Sequence, residues 1–322
     1  MMLTKAEAFA VAYEREPTSE EMARIRDRAP SDEPTAAGQL RSVIACIDRQ
    51  FLATPITVRF GESDLMPLDL ASFRLFIDRA DVAVSAQIMA TRDYETHLSE
   101  FFRRVVKPGM TAIDIGANIG FFTMLFASLV GNSGQVLAFE PSSENCRMLL
   151  LNIEANNFRQ VKLFPLALSE EMAALYFTPA LGSNGIILPD RKETLLDPNC
   201  VVVPSMRLDA IESGQVHVIK ADIEGGEYRA LRGSEAIIRR CCPIVTVELS
   251  LDMLSRVSGI NGAEFLKWMQ GFGYRAYVLG RSGAAIEAIA DVDAFFASWA
   301  NFRRIEDLAF IPGHMDFDPR QP

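Results

Sequence analysis

The apolar positions of this chain change period several times. Residues 1 to about 50 carry apolar side chains at helical spacing in AEAFAVAYERE, EEMARIRDRA and AGQLRSVIACIDRQFLA. Pro17, Pro30 and Pro34 interrupt the pattern, so it reads as an appended helical segment. From Pro55 to about Arg79 the period falls to two around Gly61-Glu62-Ser63-Asp64, which predicts a short hairpin or cap. Residues 92–106, RDYETHLSEFFRRVV, return to helical spacing through Leu98, Phe101, Phe102, Val105 and Val106, and stop at Lys107-Pro108-Gly109. Short apolar runs then alternate with helical ones: TAIDIG, FFTMLFASLV, QVLAFE, SENCRMLLLNIEAN, VKLFPLALS, HVIKADIE, a helix from about Glu227 to Arg240, and PIVTVELS. That alternation predicts a doubly wound α/β core on a parallel sheet, interrupted by an irregular stretch from about Pro179 to Val203. YRAYVLG and DLAFIPG are expected to pair antiparallel at a sheet edge. The chain is therefore expected to divide into an extension of helices and a small β element, residues 1–91, and an α/β domain, residues 92–322.

Composition narrows what such a domain does. With 322 residues, 49% of them hydrophobic and 23% charged, there is enough apolar surface for a real core. Thirty-two Lys and Arg against 42 Asp and Glu give a net charge of −10, the wrong sign for a protein that neutralises nucleic-acid phosphates, so no nucleic acid partner is expected. The longest strongly apolar run, residues 121–130, is about half of what a membrane-spanning helix needs. The first residues lack the apolar run and cleavage site of a signal peptide, so the expected location is the cytoplasm, away from membrane. Cys46, Cys146, Cys200, Cys241 and Cys242 are odd in number and form no C-x-x-C pair, so reduced thiols are expected. His97, His217 and His314 lack metal-helix spacing; His97 and His217 both tempt as bases, but His217 opens a buried strand and reads rather as a structural or surface histidine. No metal ligand set is assigned, and a divalent ion on Asp222 and Glu224 has only two carboxylates behind it.

The most informative stretch is residues 106–140. Ala112-Ile113-Asp114-Ile115-Gly116 is a strand ending in an acid and a glycine, and Ala117-Asn118-Ile119-Gly120 turns the chain into the next helix. In open α/β sheets ligands bind at the carboxyl ends of strands, where glycines let the ligand lie against backbone. Asp114, Gly116, Asn118 and Gly120 are therefore the expected cofactor loop. The spacing is not G-x-G-x-x-G, and no G-x-x-x-x-G-K-[ST] run exists, so neither a dinucleotide fingerprint nor a P-loop is present. Asp114 would repel a diphosphate. Twenty residues after Gly120 the next strand ends in Glu140, suited to accept hydrogen bonds from both ribose hydroxyls. Two carboxylates at neighbouring strand ends without a phosphate cradle fit an adenosine bearing a cationic sulfonium.

At this point the sequence resembles the class I S-adenosylmethionine-dependent methyltransferases, and more narrowly the FkbM-type family. The resemblance rests on Lys107-Pro108-Gly109 with Asp114 to Gly120, and on Phe139-Glu140-Pro141 with Asn145. It continues through Leu151-Asn152 with Asn156, Ala167-Leu168-Ser169, and Arg207-Leu208-Asp209. Its most particular part is Ile219-Lys220-Ala221-Asp222-Ile223-Glu224-Gly225-Gly226-Glu227, followed by Val247-Glu248-Leu249; Tyr94-Glu95 matches the usual entry to the domain. It covers residues 92–250, about half the chain. It implies a Rossmann-like seven-stranded sheet, S-adenosylmethionine as cofactor with S-adenosylhomocysteine as product, and cofactor contacts from Pro141, Ala167, Leu168 and Asp222 in addition to the loop and Glu140.

Asp222, Glu224 and Glu227 are the catalytic candidates, with Glu95 and Lys220 as weaker substrate-side residues. Three carboxylates cannot all stay ionised in a dry pocket, so one should hold its proton or Lys220 should compensate. The expected activity is O-methylation of a hydroxyl on a small molecule or sugar. The alternatives are a non-catalytic cofactor-binding scaffold and, less favoured because the dinucleotide fingerprint is missing, an NAD-dependent oxidoreductase. Homo-oligomerisation is left open.

Overall fold

The computed structural model describes residues 58–60, 63–79, 81, 84–179, 185–188, 199–280, 285–297, 299 and 304–319. The helices expected before residue 50, and Cys46, lie outside the described residues. Two compact units emerge, residues 1–92 and residues 93–322.

In the first, β1 (Val58–Phe60), β2 (Ser63–Asp69) and β3 (Arg74–Asp78) form an antiparallel sheet in sequence order, followed by α1 (Val84–Thr91). The period-two run is thus the expected hairpin plus one more strand. β2 buries Leu65 and Leu68, and β3 buries Leu75, Phe76 and Ile77 in a row.

The second unit opens with α2 (Thr96–Val105), β4 (Thr111–Ile115), α3 (Phe121–Val130), β5 (Gln135–Phe139), α4 (Ser143–Asn156) and β6 (Val161–Phe164). Next come β7 (Ala167–Leu168), β8 (Ala173–Pro179), β9 (Gly185–Leu188) and β10 (Val201–Met206). The unit continues with β11 (Val218–Ala221), α5 (Glu227–Arg232), α6 (Glu235–Cys241), β12 (Ile244–Ser250) and α7 (Gly262–Gln270), and closes with β13 (Tyr274–Leu279), β14 (Glu287–Ala288), α8 (Val292–Ala297) and β15 (Ile305–Pro312). The main sheet runs β14-β13-β15-β12-β11-β4-β5-β6. Strands β6, β5, β4, β11 and β12 are parallel, and β15 enters antiparallel between β12 and β13. This is the doubly wound Rossmann-like sheet, with the two C-terminal strands paired antiparallel as expected. The expected number of strands was seven; the eighth is the two-residue β14 at the edge.

Three local expectations are corrected. VKLFPLALS is not one strand: β6 ends at Phe164, and Ala167-Leu168 joins a second sheet ordered β7-β10-β8-β9. The stretch from about Pro179 to Val203 therefore contains strand rather than irregular chain, at β9 and the start of β10. The helix expected from Glu227 to Arg240 is broken at Gly233-Ser234. A Cβ at Gly233 would stand 2.0 Å from the Ser169 carbonyl oxygen, so only glycine lets the chain pass there. Asp209 then restarts the helix, its carboxylate accepting from the Ala236 and Ile237 N–H groups at 3.0 Å each.

The two faces of the main sheet differ in chemistry. Ile113, Ile115, Ile219, Ala221, Val245, Val247, Leu249, Leu308 and Phe310 point to one face and pack with residues of α5, α6 and α7. The alternate positions point the other way, toward α2 and α3. Register aligns Ala138, Asp114, Lys220, Thr246 and Ala309 in one row across five strands. Farther toward the carboxyl ends of the parallel strands, Glu248 stands opposite Asp307. Buried strands of a parallel sheet usually read as unbroken apolar runs. Here alternate residues of one face are polar, and that face carries the site.

Candidate functional site

The turn after β4 is held from three sides. Asn118 and Gly120 have φ of 51° and 100°, conformations that Asn and Gly adopt at little cost. The Asn118 N–H donates to Glu140 Oε2 at 2.8 Å, and the buried Asn152 amide donates to the Ile119 carbonyl at 2.8 Å. Gly116, at φ 79°, presses on the turn that follows β11, where a Cβ would stand 2.0 Å from the Asp222 carbonyl oxygen. The ends of β4 and β11 are thus in backbone contact, and Asp114, Gly116, Asn118, Gly120 and Asp222 gather at the carboxyl end of these central strands. Leu149 of α4 closes on Gly120 from outside.

Asp114 is fully buried. Its Oδ2 accepts from the Thr123 hydroxyl at 2.6 Å, while Oδ1 has no partner. Burial raises its pKa, against the lowering influence of Lys220 and Thr123. Glu140, also buried, accepts from the Ser142 N–H at 2.8 Å and the Asn145 amide at 3.4 Å as well as from Asn118. Burial pushes its carboxyl up to about 7 against the pull of those donors. A carboxylate offers about four acceptor positions, so at least one remains for a ribose hydroxyl. Pro141 follows it and leads to the Ser142 cap of α4.

The structure gives Ala167 and Leu168 mainly to packing. Both side chains are buried, Leu168 in the main core and Ala167 in the small sheet against Phe177 and Val203. Any contact with a cofactor from these two would come from their backbone. Phe164, at the end of β6, stacks instead on Phe139 with centroids 4.8 Å apart.

Lys220 settles the expected carboxylate conflict. Its ammonium is buried, donates to Asp222 Oδ2 at 3.1 Å and lies 4.9 Å from the centroid of the Phe122 ring. Burial opposes its charge, yet Asp222, Asp114 and Glu95 hold its pKa above the usual lysine value. Asp222 keeps 26% side-chain exposure and is the open member of the group. Glu224 lies in the left-handed region at φ 53°, with its pKa raised by burial and by Asp222. Glu227 is turned into its own loop: Oε1 accepts from the Ile223 and Gly225 N–H groups at 2.9 and 3.2 Å, and burial pushes its carboxyl up to about 7.

The residues before and at the start of α2 complete the mouth. Tyr94 packs edge-on to Phe121 at 5.8 Å. Its phenol is held protonated, first by burial and then by Glu95, Asp222, Glu248 and Asp307. Glu95 takes φ 43°, a conformation costing a non-glycine residue about 1–2 kcal/mol. His97 Nε2 lies 2.7 Å from Asp307 Oδ2. Glu248 is pushed up to about 9 by burial and by Asp222, Asp307, Glu95 and Glu224. Three of the six described non-glycine residues with positive φ are Glu95, Asn118 and Glu224, and such strain concentrates at functional sites.

Motif reading did not assign a role to Tyr94, Glu248, Asp307 or Thr123. Cross-strand register would have found Asp307, since it faces Glu248. His217 is structural: its Nδ1 accepts from the Thr111 N–H at 2.9 Å at the opposite ends of β4 and β11. Among the described residues no group of three or more His, Cys, Asp or Glu side chains is arranged to hold a metal ion, and no helix is long and apolar enough to cross a membrane.

These residues fit the adenosine-sulfonium cofactor inferred from the sequence. A buried carboxylate oxygen without a partner, an acid on the neighbouring strand with acceptor capacity left, and a phosphate-free glycine turn between them are what it requires. Residues 114–276 match the family described as the methyltransferase FkbM domain. The chain is also similar to the solved structure of methyltransferase FkbM from Methylobacillus flagellatus KT, with 16% identity, 66% of this chain and 50% of that one covered, and a TM-score of 0.39. It thus spans half the length of that protein. Further similar structures are a SAM-dependent O-methyltransferase from Thermotoga maritima (13% identity, 83% and 82% covered, TM-score 0.39) and an rRNA methylase from Streptococcus thermophilus (11% identity, 68% and 95% covered, TM-score 0.40). With the glycine turn, the strand-end carboxylates and the Lys220-to-Glu227 segment all inside the matched span, the chain belongs to the FkbM methyltransferase domain family, whose members are S-adenosylmethionine-dependent.

Proposed function

We propose that this protein transfers a methyl group to a hydroxyl oxygen of a small molecule or sugar. The observation that carries the reading is the arrangement at the ends of β4, β5 and β11, where Asp114, Glu140 and Asp222 surround a glycine turn whose sequence lacks a phosphate-binding glycine pattern. S-adenosylmethionine supplies the methyl group on a positively charged sulfur, so a pocket of carboxylates suits it. Gly116 and Gly120 let the turn pack closely against the Asp222 backbone and Leu149, and Asn118 presents the turn in the conformation that Glu140 fixes. Glu140 accepts from the ribose, Pro141 directs the chain away from it, and Asp114 holds its buried, unpartnered oxygen toward the cofactor side. Ala167 and Leu168 contribute backbone beside the adenine.

Lys220 holds Asp222 in one orientation, so the exposed Asp222 oxygen positions the acceptor. Glu224 borders the same opening, and Glu227 keeps the turn that carries both in shape. Positioning of this kind supplies much of the rate in a displacement at carbon, where nucleophile, methyl and leaving group must be collinear. A hydroxyl must also lose a proton, and the mouth is rich in proton-accepting groups. The net charge of −10 favours a neutral or carbohydrate acceptor over a nucleic acid.

The test is calorimetric titration of the full chain with S-adenosylhomocysteine, alongside Asp114→Ala and Glu140→Ala, followed by methyl transfer to hydroxyl and amine probes. One-site binding weakened at least tenfold by each substitution, with transfer to hydroxyl probes, supports the reading. Absence of binding by the folded protein refutes the cofactor assignment, and transfer to amines alone refutes the acceptor class.

A further inference from the structure

The mouth of the site contains a histidine whose surroundings resemble those of a proton acceptor more than those of a packing residue. His97 is the second residue of α2, and its side chain keeps 12% exposure. Asp307 of β15 is almost fully buried, and its Oδ2 lies 2.7 Å from His97 Nε2. A carboxylate at that distance fixes Nε2 as the protonated nitrogen and leaves the Nδ1 lone pair as the basic position. Among the described residues Nδ1 has no hydrogen-bond partner. The sheet register links this pair to the cofactor side: Asp307 faces Glu248 on β12, and Glu248 follows Val247, the partner of Ala221, next to Asp222. Adjacent strands are about 4.8 Å apart, so two strand spacings separate Asp307 from Asp222. Glu248 stands between them on the same face, one strand spacing from each.

The geometry points to His97, oriented by Asp307, as the base that removes the proton from the acceptor hydroxyl. This rests on the O-methyltransferase reading and adds to it a residue that the motif segment lacks. Four other titratable groups around the mouth are engaged elsewhere. Asp222 is paired with Lys220, and Glu227 is bonded to its own loop. Glu248 holds its proton at neutral pH because burial and the carboxylates of Asp222, Asp307, Glu95 and Glu224 push it up to about 9. The Tyr94 phenol is kept protonated by burial and by Glu95, Asp222, Glu248 and Asp307. Glu224 sits on the turn after β11 with its pKa also raised. In the step, the acceptor oxygen forms its bond to the methyl carbon as the sulfur–carbon bond breaks, with that electron pair remaining on sulfur. The hydroxyl proton passes to His97 Nδ1 and leaves to solvent with the product.

The test uses the full chain, S-adenosylmethionine with a tritiated methyl group, and a panel of methyl glycosides and phenols as hydroxyl probes. On a probe that turns over, His97→Gln is expected to lower kcat roughly 10²–10⁴-fold, the usual worth of a positioned base. KM and the affinity for S-adenosylhomocysteine should stay within about twofold, and the acidic limb of the kcat–pH profile should disappear. His97→Ala should regain part of its rate with free imidazole, a rescue that a structural role would not produce. A kcat for His97→Gln within about threefold of the parent overturns the proposal. Histidine side-chain ¹⁵N spectra provide a second reading that needs no acceptor. His97 is expected as the Nε2–H tautomer, altered by Asp307→Asn, and an Nδ1–H tautomer overturns the proposal whatever the panel gives. Absence of S-adenosylhomocysteine binding by the parent protein would refute the methyltransferase reading separately.

Discussion

Replacing Gly116 by alanine tests whether the contact between the β4 turn and the β11 turn holds the site together. Gly259 provides the comparison. Both glycines have positive φ, 79° and 68°, so both substitutions place a side chain in the left-handed region. At Gly259 a Cβ meets nothing within 4 Å, and the cost should be the conformational one alone, about 1–2 kcal/mol. At Gly116 the same Cβ would stand 2.0 Å from the Asp222 carbonyl oxygen and 2.7 Å from Ile223 Cγ2. Since the obstacle is backbone, the two turns must separate, which adds an overpacking cost of about 1–3 kcal/mol. The sum for Gly116→Ala is about 2–5 kcal/mol, or a fall in Tm of about 4–20 °C at roughly 2–4 °C per kcal/mol. Separation of the turns should also weaken S-adenosylhomocysteine binding at least tenfold, whereas Gly259→Ala should leave it unchanged. Thermal unfolding and calorimetry of the two variants decide the matter. Equal losses of stability together with equal affinities would refute the claim that close backbone approach, rather than glycine flexibility, is what Gly116 provides.

Other outcomes follow from the same geometry. Glu248 has a pKa pushed up to about 9 in the folded chain against 4.5 normally, so its contribution is complete below about pH 4.5 and is lost as pH rises toward 9. Glu248→Gln should therefore match the parent near pH 4.5 and gain stability over it increasingly up to pH 9, as measured by urea unfolding across that range. Asn152→Leu strands the Ile119 carbonyl and should cost about 1–3 kcal/mol in urea unfolding while weakening S-adenosylhomocysteine binding. Asp209→Ala removes the cap of α6 and should cost about 0.5–2 kcal/mol with binding unchanged, which calorimetry checks.

The alternation of strand and helix from Thr111 onward was legible because each β-strand there is short, apolar and bounded by turn residues. The cofactor turn was legible for a different reason: Asp114, Gly116 and Gly120 are residue types that few other local structures require in that order. The small sheet was not. Residues such as Val201 and Val202 are exposed, so no alternation marks β10 as half-buried. Nor could periodicity show the break at Gly233, which depends on Ser169 passing beside it. The weight given to Glu227 illustrates the limit of motif reading, since a carboxylate in a motif can serve its own loop. His97 and Asp307 are 210 positions apart, and only the antiparallel entry of β15 brings them together.

That entry also bears on how the protein matures. Strand β15 follows every other described strand, yet it is inserted between β12 and β13 rather than added at an edge. A nascent chain that has emerged as far as β13 has two strands whose shared neighbour is still inside the ribosome, with backbone donors and acceptors open on both. Burial of the sheet centre and delivery of Asp307 to His97 then occur in the same event. Assembly of the fold and completion of the mouth are coupled in time, so a chain stalled or clipped before residue 305 would expose a sticky sheet and lack the aspartate half of the pair.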